Sequence, residues 1–566
     1  MKILLCAINA KFIHSSLAVR SLYAGNAEFA DNVGILELSI NNSVNFIVKE
    51  IYSSSPDVLC FSCYIWNIEI IKEIAEIIRK TSPQTKIIMG GPEVSFAPYD
   101  LLGEFCDVIV LGEGEVVFGE LCRHFVHAEI GLDAIKDIAY IRDGEVVVNE
   151  RAAEPPDLNS LAFPYTEFES LANKIIYYES SRGCPFSCAY CISSTTEGVR
   201  FLEMDAVKSH INHFRSNNIK LVKFVDRTFN CDAARALEIW RYIIDNDNGV
   251  TSFHFEIGAD LLTDAHIECL KYARIGLIQF EAGVQSTNPR TLKEICRAEN
   301  FERLSENIAK IKVLGNIHIH LDLIAGLPFE DFASFRQSFN DCFALRPDML
   351  QLGFLKLLKG SALRINSHNY GIEYKDKAPY EVLFTEHLSF SELAMLKDIE
   401  HLLDIYYNGA LALNTLEHAI ASFDTPFDFF HAFAQFWNKE GLHRVSHSRQ
   451  ALYDILYRYL LTIDGVDMDC TKDILKLDMF MGENVKNLPD WLDATDYKPI
   501  MDEINTFFLC EENAARYFPM YLGRSPKQLS RVCHIEWFPC LEGYRLFVYG
   551  DGKPRVFSII LGGGAK

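Results

Sequence analysis

Apolar runs and amphipathic stretches alternate along the first quarter of the chain. Short, almost wholly apolar runs at residues 2–8, 33–38, 58–62, 86–89 and 108–111 have the length of strands buried on both faces. Between them, residues 16–27, 44–53 and 68–80 repeat apolar positions at three- and four-residue spacing and are predicted helices. Strands alternating with helices imply a doubly wound parallel sheet that binds ligands at the carboxyl ends of its strands. Residues 138–148 read as a hairpin. Glu154-Pro155-Pro156-Asp157 then breaks the pattern. The first domain is placed at 1–150 and a linker at 151–172.

From residue 174 the alternation restarts and runs six times. Strands are predicted at 175–179, 221–226, 252–258, 277–283, 317–324 and 350–357, with helices such as 203–214, 235–244 and 301–313 between them. Six strand–helix units make an open, partial barrel over 173–370, with its chemistry at the strand C-termini. Beyond it the period turns helical, at 389–406, 411–422, 427–438 and 448–463. An aromatic-rich hairpin at 533–548 and a frayed tail at 562–566 follow. The fold class is α/β: a Rossmann-like domain, a partial (β/α)6 barrel and a mainly α-helical domain over 371–566.

Composition narrows the function. Of 566 residues, 49% are hydrophobic and 23% charged, which excludes a disordered or fibrous chain. The net charge of −23 repels phosphate backbones and anionic lipid, so nucleic acid is disfavoured as a partner. No apolar run reaches the roughly 18 residues of a membrane span, and no signal peptide is visible. A cytoplasmic location is expected, and with it 16 cysteines free of structural disulfides. Cys6, Cys60, Cys269 and Cys342 sit singly in apolar runs and read as small buried hydrophobes.

Cys184, Cys188 and Cys191 depart from that reading. Their C-x3-C-x2-C spacing, in Ser180-Ser181-Arg182-Gly183-Cys184-Pro185-Phe186-Ser187-Cys188-Ala189-Tyr190-Cys191, follows the first barrel strand. Three thiolates in one loop can hold three irons of a [4Fe–4S] cluster and leave the fourth open to a chelating ligand; a zinc site would call for four ligands. This motif, with Tyr190 before the last cysteine, resembles the radical SAM family over about residues 173–365. The resemblance implies that S-adenosylmethionine chelates the open iron and is cleaved to a 5′-deoxyadenosyl radical. It also implies cofactor contacts from the barrel strand ends: Tyr190, Asp226, Glu256, Glu281, Gln285, Gly326 and Pro328. The last two belong to Asp322-Leu323-Ile324-Ala325-Gly326-Leu327-Pro328, which looks like the family's adenine-binding strand end with Asp322 in place of a first glycine.

Gly90-Gly91-Pro92-Glu93 and Gly112-Glu113-Gly114-Glu115, each after a strand, resemble the cobalamin-binding domain found before many such barrels. The resemblance implies a cobalamin site containing His14, Ser62, Tyr64, Trp66, Gly90, Gly91, Gly112, Glu113 and Gly114. His14, in Phe12-Ile13-His14-Ser15-Ser16-Leu17, stands where many corrinoid domains carry the cobalt-ligating histidine of D-x-H-x-x-G, but the Asp and Gly are absent. Tyr64 or Trp66 can instead place a bulky side chain beneath the cobalt. The C-terminal third resembles an uncharacterised helical domain found on one subgroup. No catalytic residue is assigned. The expected cofactors are a [4Fe–4S] cluster, S-adenosylmethionine and cobalamin. The expected activity is methyl transfer from methylcobalamin to an unactivated carbon. A ring rearrangement, an oxidative cyclisation or a corrinoid-binding regulatory role stand as alternatives. A small-molecule, lipid-precursor or peptide substrate and an electron donor such as flavodoxin or ferredoxin are the expected partners.

Overall fold

Ile3–Asn9 (β1) is buried along its whole length and forms an interior strand of the first sheet. The structure is a computed structural model, and it describes all residues except 97–98, 166–170, 172, 197, 551, 553 and 562–566. The frayed tail predicted at 562–566 lies outside the described residues. Val33–Ser39 (β2), Val58–Ser62 (β3), Lys86–Gly90 (β4) and Val108–Val110 (β5) pair in parallel in the order β2-β1-β3-β4-β5. Period-two geometry divides β1 between two cores. Leu4, Cys6 and Ile8 pack with the helices Val44–Ser54 (α1) and Ile68–Thr81 (α2). Ile3, Leu5 and Ala7 pack with Leu17–Ala24 and Glu115–Cys122 on the other face. The predicted hairpin is Ile138–Arg142 (β6) and Glu145–Val148 (β7). Strand β6 adds antiparallel to β5, so the sheet grows to seven strands.

Six parallel strands then follow in spatial order: Ile176–Tyr178 (β8), Leu221–Phe224 (β11), Ser252–Glu256 (β12), Ile278–Gln285 (β13), His318–Ala325 (β14) and Met349–Phe354 (β15). The intervening labels belong to Ser181–Gly183 (β9) and Val199–Phe201 (β10), a short antiparallel pair that no sequence period announced. On the outside of the barrel, Phe255 and Phe280 contact Trp240 of the helix Ala233–Asp245. Alternation therefore turns His254, Glu256 and Glu281 to the inner face. The barrel is apolar where helices cover it and polar in its lumen.

The first compact unit runs to Leu393, beyond the expected barrel end at 370. The segment past 370 stays with the barrel through backbone bonds from Val382 to Leu355 and from Leu357 to Tyr380.

The second unit, Ala394–Lys566, is helical, as expected. Phe433 of Pro426–Lys439 stacks on Tyr459 of Arg449–Leu460 at 4.3 Å. The predicted hairpin is present as Cys533–Phe538 and Gly543–Val548, and Arg555–Ile559 adds a third strand. The helix Met468–Gly482 was not anticipated, because its buried face carries Asp473, Lys476 and Asp478. These charges are matched: Lys476 pairs with buried Glu536 at 3.0 Å, and Asp478 accepts from Thr415 Oγ1 at 2.7 Å. The expectation of no disulfide is corrected here, since Cys470 and Cys540 are bonded. Asp473 accepts the Cys540 N–H at 2.7 Å and draws the turn after Cys533–Phe538 onto the helix turn that holds Cys470. Cys6, Cys60 and Cys342 are buried as predicted, whereas Cys269 is half-buried.

Candidate functional site

The cysteine loop leaves β8 and is anchored at its base by Asp226. This carboxylate is buried and accepts from the Ser180 N–H at 3.0 Å, Ser180 Oγ at 2.7 Å and Ser181 Oγ at 2.5 Å. Asp226 thereby holds the strand end from which the cysteine loop departs. Burial raises its carboxyl to about 6 despite these bonds. Gly183 has φ +104°, and a Cβ there would collide with the Gly198 carbonyl across the β9–β10 pair, so the loop must start with glycine.

Cys184 Sγ lies 3.7 Å from Thr228 Oγ1, and Cys191 Sγ accepts the Ser193 N–H at 3.4 Å. Cys188 is buried, with Arg297 Nη1 4.0 Å from its sulfur. None of the three is in a disulfide. Arg297 also donates to the Tyr190 hydroxyl at 3.2 Å and to the Gly283 carbonyl, and it pairs with Glu299 at 2.6 Å. Sequence reasoning missed Arg297, because the Cys188 and Tyr190 it reaches lie more than a hundred residues earlier in the chain.

Inside the barrel, Lys223 sits 2.9 Å from Glu281 and 3.5 Å from Glu256. Burial works to raise the Glu281 carboxyl, but the His254 bond and the Lys223 charge outweigh it and hold the group at about 2. Glu256 lies above its ordinary range, because burial exceeds the pull of Lys223. His320 pairs with Asp322 at 3.0 Å. Gln285 ends β13 with φ +70° and a buried Oε1 that has no hydrogen-bond partner. Gly326 packs against Val382, and the Pro328 carbonyl accepts the Thr291 hydroxyl at 3.0 Å. Lys223 was also missed, although a lysine in an otherwise apolar barrel strand was a readable signal.

A cavity of about 710 Å³ lies between the strand ends of the first domain and the barrel mouth. His14, Ser62, Tyr64, Trp66, Gly90, Gly91, Gly112, Glu113 and Gly114 all line it, as do Tyr177, Lys223 and Glu256 from the barrel. His14 Nδ1 lies 3.3 Å from the Tyr177 hydroxyl. Burial, aided by Lys11, Lys223 and Lys174, lowers its pKa and keeps the ring neutral, as a metal donor must be. Tyr64 and Trp66 stack at 4.3 Å, and Trp66 Nε1 donates to the Ile8 carbonyl.

Two of these residues serve the fold directly. Gly91 has φ +112°, and a Cβ there would lie 2.6 Å from the Cys63 carbonyl, so glycine is required by the neighbouring loop before any ligand is considered. Glu113 spends its carboxylate on Arg182 at 2.7 Å and on Arg200. Its counterpart Glu93 is taken up by Lys359 at 2.9 Å and by Tyr380. Ser95 ties the two glycine loops together, donating to the Gly91 carbonyl at 2.8 Å and accepting the Gly112 N–H at 3.0 Å. Gly90, Gly112 and Gly114 leave a wall without side chains, which suits the close approach of a large flat ligand. Three free thiols in one loop suit an iron–sulfur cluster.

Family models agree with this arrangement. Residues 3–122 match the B12 binding domain and residues 178–342 the Radical SAM superfamily. The chain joins a B12-binding domain to a radical SAM domain. Residues 368–542 match a third model, described as a protein of unknown function (DUF4080). The cobalamin-dependent radical SAM methyltransferase TokK of Streptomyces tokunonensis is 27% identical over 304 residues, which cover 50% of this chain. The match spans only 44% of that relative's length. Two solved folds are similar at 15% identity. OxsB, a cobalamin-dependent S-adenosylmethionine radical enzyme, has a TM-score of 0.60 over 84% of this chain and 80% of its own. TsrM from Kitasatospora setae, with cobalamin and a [4Fe–4S] cluster bound, has 0.54 over 67% of this chain and 79% of its own. By their descriptions the two matched domains are those of B12 and S-adenosylmethionine. Among the described residues, no helix is long and apolar enough to cross a membrane.

Proposed function

We infer that the chain is a methyltransferase acting on an unactivated carbon. The observation that carries this reading is the single cavity shared by the glycine loops of the B12-binding domain and the barrel mouth. It reaches Gly183, Ile192 and Ser193 on either side of the cluster cysteines. Methyl transfer leads over ring rearrangement or oxidative cyclisation because TokK is named for it.

When bound, the cluster with S-adenosylmethionine supplies a hydrogen-abstracting radical, and cobalamin supplies a methyl group. The chain's part is to hold and orient. Cys184, Cys188 and Cys191 ligate three irons. Arg297 braces Cys188 and Tyr190 from one side. Gln285, with its unpartnered Oε1, and Glu256, only loosely paired with Lys223, are free to receive the hydroxyls and ammonium of S-adenosylmethionine. Glu281 fixes Lys223 instead. Ser62, Gly90, Gly112 and Gly114 would receive cobalamin, with His14 or the Tyr64–Trp66 pair beside it. A flavodoxin or ferredoxin supplies the electron, and the substrate is a small molecule, a lipid precursor or a peptide.

The test is to incubate the loaded chain with reductant and methyl-deuterated S-adenosylmethionine, then analyse the bound corrinoid by mass spectrometry. Deuterated methylcobalamin is expected. A corrinoid that never acquires the label would remove methyl transfer from the reading.

A further inference from the structure

The two strands β9 and β10 bracket the cysteine loop, one before Cys184 and the other after Cys191. Their register sets Arg182 opposite Arg200. Both guanidinium groups reach one carboxylate in the other domain: Arg182 Nη1 lies 2.7 Å from Glu113 Oε2, and Arg200 Nη2 meets Oε1. Arg182 is held further by Glu115 at 2.8 Å and Glu179 at 2.7 Å. Arg182 and Glu113 are only about one-fifth exposed, so solvent screens the pair less than a surface contact. Glu113 stands between Gly112 and Gly114, both on the cavity wall assigned to cobalamin.

We propose that Glu113 is a positioning residue that couples cobalamin binding to the order of the iron–sulfur loop. A ligand settling on the Gly112–Gly114 backbone fixes the side chain that grips both ends of that loop. A loop folded around its cluster fixes Arg182 and Arg200, and so pre-forms the glycine wall. Coupling of this kind is reciprocal: each cofactor tightens the other by the same factor. The idea rests on the cofactor assignments above.

Charge bookkeeping makes the removal of Glu113 tolerable. Glu113, Glu115 and Glu179 face Arg182 and Arg200, three negative charges against two positive; Glu113→Gln leaves two against two.

The experiment measures the Kd of hydroxocobalamin for the full chain, with and without a reconstituted cluster. The same chains are then timed for iron loss to a chelator, with and without cobalamin. The unsubstituted chain should bind hydroxocobalamin at least about fivefold tighter when the cluster is present, and bound cobalamin should slow iron loss. Glu113→Gln should still load iron and bind cobalamin, but both ratios should fall, the Arg182–Glu115 pair being the link that remains. Arg200→Gln, which removes one of the two bonds to Glu113, should lower both ratios in the same direction. A residue that merely supported the fold would weaken both affinities and leave the ratios intact. A ratio of one in the unsubstituted chain, or a fivefold ratio surviving in both variants, would overturn the coupling while the cofactor assignments stand. A chain that holds neither cofactor would overturn both.

Discussion

Cys184, Cys188 and Cys191 are the side chains proposed to hold the cluster, and their loop supplies no fourth thiol. Alanine at any one should lower iron from about four per chain to below one after anaerobic reconstitution, measured by iron assay and the visible chromophore. Alanine at Cys231 or Cys296 should leave iron content unchanged. Two neighbouring glycines separate fold from ligand. Gly91→Ala forces a side chain into φ +112° against the Cys63 carbonyl, and should cost about 1–3 kcal/mol of stability with or without cobalamin. A Cβ at Gly90 would meet Val110 at an ordinary 3.5 Å. Gly90→Leu should therefore keep its melting temperature and lose at least about tenfold in hydroxocobalamin affinity, by filling the cavity. The cysteines were legible because all three ligands lie within eight consecutive residues. Lys223 stood out as a lysine in an apolar strand, but its partners, like those of Asp226 and Glu113 and like the Tyr190 that Arg297 reaches, lie tens of residues away and are set by packing.

At the level of elements, helix α2 shows how far an apolar period reaches. Ile68, Ile71, Ile74, Ala75 and Ile78 recur at helical spacing and are all buried against the first sheet. Ile74→Ala should cost about 2–5 kcal/mol in denaturant unfolding. The turn after β14 carries a different signal. Glu330 is fully buried, accepting from Ser286 Oγ at 2.5 Å and Ser338 Oγ at 3.2 Å, and burial raises its carboxyl to about 8 from an ordinary value of 4.5. The folded group keeps its proton up to about pH 8, whereas the unfolded one loses it near 4.5. Between those values the folded state binds more protons, so raising the pH favours unfolding. Stability should fall by on the order of 3 kcal/mol from pH 5 to pH 8 and level off above. Glu330→Gln should flatten that slope in denaturant melts. Elements of uniform burial, such as β1, were legible as apolar runs. The helix Met468–Gly482 was hidden because Lys476 and Asp478 are buried by pairing with residues far along the chain. Strands β9 and β10 were too short to show a period.

On the scale of the molecule, the order of domains was readable from the change of period alone, but the way the first two are joined was not. Each glycine loop of the B12-binding domain carries a glutamate, and both glutamates are spent on cations beyond that domain: Glu113 on Arg182 and Arg200, Glu93 on Lys359. The ligand wall is thus left to backbone and small residues, and the acidic side chains fasten that wall to the barrel. This joined unit is expected to cleave S-adenosylmethionine at a cluster held by three cysteines. The measurement that tests it most directly is 5′-deoxyadenosine, quantified by liquid chromatography and mass spectrometry after the anaerobically reconstituted full chain is given S-adenosylmethionine and a low-potential reductant. The expected result is 5′-deoxyadenosine formed by the unsubstituted chain and lost in Cys188→Ala. Its absence from a chain shown to hold four irons, or equal amounts from the Cys188→Ala chain, would contradict the claim.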